Sequence, residues 1–117
     1  MKLVQTEEGF ALYKEKTLTG RCAFRQEGDC TCLSLLWIDP AWRRRGVARL
    51  LLDRMLCEAA EWRVRTMMLE VRPSNGGARV LYAEYGFKRI ATRPAYYPAD
   101  DGREDAYLLS RRVSRSD

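Results

Sequence analysis

The stretch that decides the fold is Leu33-Ser34-Leu35-Leu36-Trp37-Ile38-Asp39-Pro40-Ala41-Trp42-Arg43-Arg44-Arg45-Gly46-Val47-Ala48. Its first six residues are almost all apolar and predict the end of a central β-strand. Asp39-Pro40 ends that strand, and the residues after Gly46 have the spacing of an amphipathic helix. The residues predicted on its core face are Val47, Leu50, Leu51, Met55, Ala59 and Trp62. A strand, a basic turn with a glycine and a helix start in this order predict an anion-binding site, because the helix dipole and free backbone N–H groups converge on the turn. Taken alone, the turn is also typical of a solvated surface.

The rest of the chain places further strands and one further helix around this unit. Strands are predicted at residues 2–6, 9–14, 21–26, 30–38, 66–71, 87–96 and 105–111, and helices at 46–63 and from about Ser74 or Asn75 to just before Gly86. The strands at 30–38 and 66–71 should pair in parallel through a right-handed crossover, and the others should pair antiparallel. The prediction is an α/β fold in a single domain over residues 1–117, with a mixed, mostly antiparallel sheet, a central parallel pair and flanking helices.

Composition limits the class of protein. The 117 residues are 46% hydrophobic and 32% charged, which is typical of a globular domain. No apolar run approaches the roughly 18 residues of a membrane span, and the first residues lack the apolar core of a signal peptide, so we expect a cytoplasmic protein without a membrane partner. The net charge of +5 suits nucleic acid, an acidic protein or a phosphorylated cofactor. The basic run at 111–115 is expected to be a solvated tail.

The chain has four cysteines and no histidine. The absence of histidine removes His-based triads, histidine general bases and mixed Cys/His zinc sites. Cys30 and Cys32 are two residues apart and would face the same side of a strand, so they are expected to be core or sheet-face residues rather than metal ligands. No metal site is predicted, and stable disulfides are not expected in a reducing compartment.

Glu70 is the exceptional residue of the strand at 66–71, because Met67-Met68-Leu69 precede it and Val71 follows it. Burying a carboxylate is costly, and apolar surroundings favour proton uptake by a carboxylate, as a general base requires. Strand alternation would equally well direct this side chain to solvent. The residues alone leave both interpretations open.

The basic turn resembles motif A of the GNAT acyl-CoA N-acyltransferases. The core of that motif is Arg/Gln-x-x-Gly-x-Gly/Ala, and Arg43, Gly46 and Ala48 fill its three defined positions. The resemblance implies that acetyl-CoA (coenzyme A) is the cofactor and that the turn binds its pyrophosphate. It assigns to cofactor binding the strand end, the turn and one later residue: Leu36, Trp37, Ile38, Arg43, Arg44, Arg45, Gly46, Val47, Ala48, Arg49 and Asn75.

Two later segments extend the resemblance over roughly residues 30–110. Residues 69–75 and 81–87 resemble motif B of the same family, and residues 96–106 resemble the last hairpin of the RimI-type protein N-terminal acetyltransferases. The resemblance implies direct attack of an amine on the thioester of acetyl-CoA. It implies that Glu70 is the general base and Tyr82 the general acid, and that Tyr96 and Tyr97 bind the acceptor.

The expected acceptor is the N-terminal α-amine of a protein or peptide, a ribosomal protein by resemblance to the subfamily. An α-amine has a pKa of about 7.7–8.0 and is easier to deprotonate than a lysine amine at about 10.4. Two alternatives stay open: a GNAT enzyme acting on a lysine or a small-molecule amine, and a non-catalytic module that binds acyl-CoA or a protein partner. Nucleic-acid binding is not expected, because the cofactor already accounts for the basic cluster.

The front of the chain departs from the family pattern. Family members usually carry two helices before the antiparallel strands, and these helices form one wall of the acceptor site. Too few residues precede Cys30 for both helices and the strands. We therefore expect the N-terminal helices to be reduced or absent, with a homodimer as one way to complete the acceptor site.

Overall fold

A computed structural model of the chain describes residues 1–113. Within them, seven strands form one sheet: β1 (Lys2–Gln5), β2 (Gly9–Lys14), β3 (Thr17–Glu27), β4 (Cys30–Ile38), β5 (Thr66–Val71), β6 (Lys88–Ala99) and β7 (Gly102–Arg112). The two α-helices are α1 (Val47–Glu61) and α2 (Gly76–Glu84), and one turn of 3-10 helix spans Pro40–Trp42.

The strand order is β1-β2-β3-β4-β5-β7-β6, and the parallel neighbours are β4 and β5. The other five pairs of neighbours are antiparallel. The predicted α/β architecture with a central parallel pair is therefore confirmed. Among residues 1–113 no α-helix precedes α1, and a short turn joins β1 to β2, so the N-terminal helices are absent from this part of the chain as predicted.

The first helix packs closely on the sheet because β3 carries a glycine beneath it. A Cβ atom on Gly20 would lie 2.6 Å from the Val47 side chain and 3.1 Å from the carbonyl oxygen of Trp37. Leu51, Leu52 and Met55 of α1 are fully buried in the main apolar cluster. This packing fixes where α1 begins relative to the end of β4.

One prediction about the buried face of α1 is wrong. The helical spacing assigned Leu50 to the core, but its side chain is 48% exposed, whereas Leu52 is 0% exposed. Three consecutive leucines cannot all face the sheet at 100° per residue, and the pattern alone does not tell which one turns outward.

The two faces of the sheet differ. On β5, Met67, Leu69 and Val71 are buried in the cluster that includes α1 and α2, whereas Met68 and Glu70 point to the other face and are half-buried. Within the residues that the structure describes, no helix covers this second face. The face that carries Glu70 is therefore open.

The last two strands are longer than predicted. The sequence placed a loop at residues 98–102, but β6 continues to Ala99 and β7 begins at Gly102, so Asp100 and Asp101 alone form the turn. The basic run at 111–115 is not a solvated tail throughout, because β7 extends to Arg112 and Val113 is buried. Ser114 and Arg115 lie outside the described residues.

The cysteines occupy the sheet and α1 as predicted. Cys30 and Cys32 face the same side with their Sγ atoms 3.9 Å apart, and all four cysteines are free. In residues 1–113 no group of three or more histidine, cysteine or acidic side chains is arranged to hold a metal ion. No helix in this range is long and apolar enough to cross a membrane.

The core position of Leu51 and the surface position of Leu50 give a matched pair of variants. Leu51→Ala should lower the free energy of unfolding by about 2–5 kcal/mol, because it leaves a cavity under α1. Leu50→Ala should change it by less than about 1 kcal/mol. Urea unfolding followed by circular dichroism measures both, and equal losses in the two variants would contradict the placement of α1.

Candidate active site

A cleft opens where β4 and β5 stop pairing. Their parallel register ends at Leu33 and Leu69, and the following residues of the two strands have no pairing with each other. The cleft has a volume of ≈ 870 Å³ and is lined by the end of β4, the basic turn, the end of β5 and α2. Since Leu35–Ile38 pair with β3 and, within residues 1–113, with no other strand, the opposite edge of β4 presents backbone N–H and C=O groups to the cleft.

The basic turn and the start of α1 form one end of this cleft. Gly46 is the N-cap residue and adopts a left-handed conformation with φ 81°, which a side chain would strain. No side chain caps α1, and its first turn contains no acidic residue. Among residues 1–113, the first N–H groups of the helix therefore have no side-chain acceptor, and Val47, Ala48 and Arg49 line the cleft. This end of the cleft favours an anion.

The arginines of the turn have different partners. Arg43 donates from Nε to the carbonyl oxygen of Ile38 at 3.4 Å, and Arg45 stacks on Trp42, 5.1 Å from the ring centroid. Arg43, Arg44 and Arg49 line the cleft, but Arg45 does not. Three of the four predicted cofactor-binding arginines therefore border one space, and Arg45 instead covers the outer side of the turn.

Two contacts fix the spacing of α1 and α2 beside the cleft. Arg49 of α1 forms an ion pair with Glu84 of α2. The hydroxyl of Tyr85, just after α2, donates to Oδ1 of Asp53 at 2.7 Å. These contacts hold the two helices together at the outer end of the cleft.

The start of α2 forms the opposite wall. Asn75 is its N-cap residue, and Oδ1 accepts from the N–H of Ala78 at 3.2 Å. Asn75, Gly77 and Ala78 line the cleft, and a Cβ atom on Gly77 would have no neighbour within 4 Å. The start of α2 therefore presents small residues to the cleft, and the side chain of Asn75 caps the helix.

Glu70 lines the cleft from the open face of the sheet. Its side chain is 25% exposed, and Oε1 lies 3.2 Å from Nε of Arg93. Leu69 and Val71 point to the opposite face, so the structure does not show the apolar surroundings of the first interpretation. Of the two interpretations that the sequence left open, strand alternation is the one observed.

Tyr82 and Tyr97 border the same cleft as Glu70. Tyr82 is 6% exposed and packs edge-on against Phe87, with the ring centroids 5.7 Å apart. Burial raises the pKa of Tyr82 to about 12, with a further contribution from Tyr97. Burial also raises the pKa of Tyr97, and the nearby Glu70 carboxylate adds to that rise. Tyr97 therefore interacts electrostatically with both other side chains.

Tyr96 was predicted beside Tyr97 but does not line the cleft. Its ring packs edge-on against Tyr97 at a centroid distance of 4.9 Å, and Arg93 lies over its other side at 5.7 Å. Tyr96 thus supports Tyr97 and the Arg93 side chain from outside.

Sequence reasoning missed Arg72, which lines the cleft between Glu70 and Tyr97. Its guanidinium lies 4.4 Å from the centroid of the Tyr97 ring and donates to the carbonyl oxygen of Pro98 at 2.8 Å. A signal was available, because Arg72 directly follows β5 at the edge where the other site residues gather. The remaining lining residues not singled out are mostly apolar or small: Ser34, Leu35, Trp42, Val71, Gly77, Ala78, Val80 and Leu81.

The wild-type protein should lose stability between about pH 10 and pH 12, and Tyr82→Phe should abolish that loss. The pKa of this phenol is about 12 in the fold against an ordinary value of 10.0, so the folded state holds the proton more tightly than the unfolded chain. The stabilisation is complete below pH 10 and disappears as the pH rises toward 12. It amounts to about 2–3 kcal/mol. Denaturant unfolding at stepped pH measures it, with the exposed Tyr96→Phe as control; identical pH profiles for Tyr82→Phe and the wild type would contradict it.

Comparison with known sequences shows the family to which the chain belongs. The model of the acetyltransferase (GNAT) family matches residues 2–87. The ribosomal protein bS18-alanine N-acetyltransferase of Escherichia coli K12 is 42% identical over 77 residues, which are 66% of this chain and 52% of that protein. Its counterpart in Haemophilus ducreyi is 40% identical over 83 residues, 70% of this chain and 57% of that protein. The chain spans about half the length of the curated relatives it matches.

Solved structures give the same relationship. The crystal structure of the ribosomal-protein-S18-alanine N-acetyltransferase from Escherichia coli superposes with a TM-score of 0.87 at 33% identity, covering 97% of this chain and 74% of that one. The structure of Ard1 from Thermoplasma volcanium superposes with a TM-score of 0.85 at 28% identity, covering 93% of this chain and 72% of that one. With its central parallel pair, its uncapped helix start and the match over residues 2–87, the chain belongs to the acetyltransferase (GNAT) family.

Proposed function

We propose that the protein transfers an acetyl group from acetyl-CoA to the N-terminal α-amine of a protein. The observation that carries the proposal is one continuous cleft that joins an uncapped, basic helix start to Glu70, Tyr82 and Tyr97. The family supports acetyl-CoA as the donor. The name of the Escherichia coli relative supports a protein N-terminus, that of a ribosomal protein, as the acceptor.

The donor side of the cleft fits a pyrophosphate followed by an amide-containing arm. The free N–H groups at the start of α1 would bind the pyrophosphate, with Arg43 and Arg44 adding positive charge. The unpaired edge of β4 at Leu36–Ile38 would pair with the amides of the arm and direct an N–H at the acyl carbonyl. Acetyl-CoA supplies the acetyl group as a thioester, which an amine attacks directly.

Glu70 is suited to an α-amine rather than a lysine. A carboxylate is a weak base, and deprotonating a lysine amine costs about 3 kcal/mol more than deprotonating an α-amine. Glu70 faces the open side of the sheet, from which an acceptor can reach the cleft. In this proposal it accepts a proton from the incoming α-ammonium group, directly or through water.

Tyr82 holds the proton that the departing thiolate needs. With a pKa of about 12, it stays protonated throughout the neutral range. Transfer to a thiolate of ordinary pKa, about 8.5, would be uphill by about 5 kcal/mol, compared with about 2 kcal/mol for a tyrosine of ordinary pKa. The apolar wall that raises the pKa of Tyr82 would also desolvate the thiolate and raise its proton affinity, which narrows the gap.

Over residues 1–113, no helix covers the face of the sheet opposite α1 and α2, so the acceptor side of the cleft is open. Tyr97, stacked on Arg72, borders this side and is placed to contact the first residues of an acceptor. That a second copy of the chain completes this side stays a prediction. The match to relatives covers about half their length, so the acceptor is part of the proposal and not of the family assignment.

Glu70→Gln and Tyr82→Phe should each lower kcat about 100-fold or more, because each removes one proton transfer. Affinity for acetyl-CoA, measured by calorimetry, should stay within about twofold in both variants. Glu61→Gln and Tyr107→Phe, which make the same chemical changes away from the cleft, serve as controls. The assay is acetylation of a peptide library with free and with blocked N-termini.

The same assay separates the alternatives. Acetylation at lysine of peptides with blocked N-termini would show that a lysine amine, and not the α-amine, is the acceptor. Binding of acetyl-CoA without transfer to any peptide would instead favour a non-catalytic acyl-CoA-binding module.

Gly46→Ala should weaken coenzyme A binding and lower stability together. A side chain in this left-handed conformation costs about 1–2 kcal/mol, and relaxing that strain would turn the first N–H groups of α1 away from the pyrophosphate. Gly28→Ala imposes the same strain, at φ 60°, in the turn between β3 and β4. It should lower stability to a similar extent and leave coenzyme A affinity unchanged; equal losses of affinity in both variants would refute the assignment of the turn.

A further inference from the structure

We propose that Glu104 is a positioning residue that ties the hairpin of β6 and β7 to the loop between β5 and α2, and so holds Tyr97 in the cleft. The kinetic consequence rests on the proposed acetyl transfer. The contact itself stands on the geometry of three side chains.

Glu104 lies directly opposite Tyr97 in the register of β6 and β7. Its carboxylate reaches the loop after β5: Oε1 accepts from the N–H of Ser74 at 2.7 Å, and Oε2 accepts from the Ser74 hydroxyl at 2.9 Å. Nη1 of Arg72 lies 3.5 Å from Oε2. Hydrogen bonds from Ser74 lower the pKa of Glu104, with Arg72 contributing, so the carboxylate is ionised and these bonds are charge-assisted.

Arg72 joins the same two segments from the other direction. It starts in the loop after β5, donates to the carbonyl oxygen of Pro98 and stacks on the Tyr97 ring. The Tyr97 ring is therefore held through Arg72, and Glu104 secures the strand beside it. Arg72 and Ser74 both contact Oε2 of Glu104. These three residues therefore form one connected group, which we call the clamp.

The hairpin needs such a tie because its outer half leaves the sheet. Pairing of β7 with β5 ends at Tyr107 opposite Val71. Beyond that point β6 and β7 pair only with each other, and their register shifts between Arg93 and Tyr97, where Ala95 has φ 51°. A projecting hairpin with an irregular strand swings easily unless a contact holds it to the rest of the fold.

The clamp also relates Tyr97 to Tyr82. The loop that Glu104 grips ends at Asn75, the N-cap of α2, and Tyr82 lies on that helix. One carboxylate thus sets the distance between the hairpin tyrosine and the helix tyrosine that border the cleft. The anion end at α1 does not depend on this contact, so losing the clamp should affect the acceptor more than acetyl-CoA.

The kinetic test compares Glu104→Gln with Asp101→Asn, which makes the same charge change at the exposed hairpin turn. Glu104→Gln should raise the KM for an acceptor peptide about tenfold, with kcat within about threefold and acetyl-CoA affinity unchanged; Asp101→Asn should behave as wild type. Ser74→Ala keeps its backbone N–H and should give a smaller rise. The double variant Glu104→Gln/Ser74→Ala should be no worse than Glu104→Gln alone, because both act through one contact. An unchanged KM in Glu104→Gln, or additive effects in the double variant, would overturn the proposal.

Hydrogen exchange tests the clamp without relying on activity. In Glu104→Ala the amides of Ser74 and of the non-proline hairpin residues between 95 and 103 should exchange at least fivefold faster than in the wild type, with those of α1 unchanged. Unaltered exchange would overturn the clamp whatever the kinetics. A wild-type protein that acetylates no peptide would refute the proposed function, and the exchange result would then decide the clamp by itself.

Discussion

The end of parallel pairing between β4 and β5 is the constraint on which the site depends. While the strands pair, from Cys30 opposite Thr66 to Leu33 opposite Leu69, their backbone groups satisfy each other. Once they separate, the β4 edge keeps polar groups that no other strand of residues 1–113 pairs, and a gap opens between the two strands. The gap begins where the pairing of β3 and β4 is also irregular: their register shifts between Ala23 and Phe24 and leaves Ser34 without a partner, as in a β-bulge, which bends a strand.

The charges around the cleft follow from the same geometry. A helix that begins at a left-handed glycine has no side-chain cap, so its dipole and free N–H groups face whatever lies before it. Here that space is the cleft, and Arg43 and Arg44 add to the positive potential. At the other end Arg72 and Arg93 are occupied, one with Tyr97 and Glu104 and the other with Glu70. Positive charge that no carboxylate of residues 1–113 neutralises is therefore concentrated at the start of α1.

The fold could be predicted from the sequence because its signals are local. The apolar run into Asp39-Pro40, the glycine before α1 and the Asn75 cap each fix one element. The outward turn of Leu50 could not be predicted, because it depends on how α1 sits on the sheet. Arg72 and Glu104 are 32 residues apart in sequence, and no periodicity marks charged residues that meet only through the β5, β6 and β7 arrangement. Long-range polar contacts of this kind are the part of the site that sequence reasoning misses.

The two faces of β5 bear differently on the proposed reaction. Alternation along β5 sends Glu70 to the open face and Val71 to the face where Tyr82 is buried. A group bound in the gap between β4 and β5 would lie between these two faces. In the proposed transfer the amine would then arrive from the open face, beside Glu70, and the thiolate would leave toward Tyr82 on the helix face. A base and an acid on the same face would compete for one side of the thioester, so in the proposed transfer the split strand pair would let the two proton transfers occur on opposite faces.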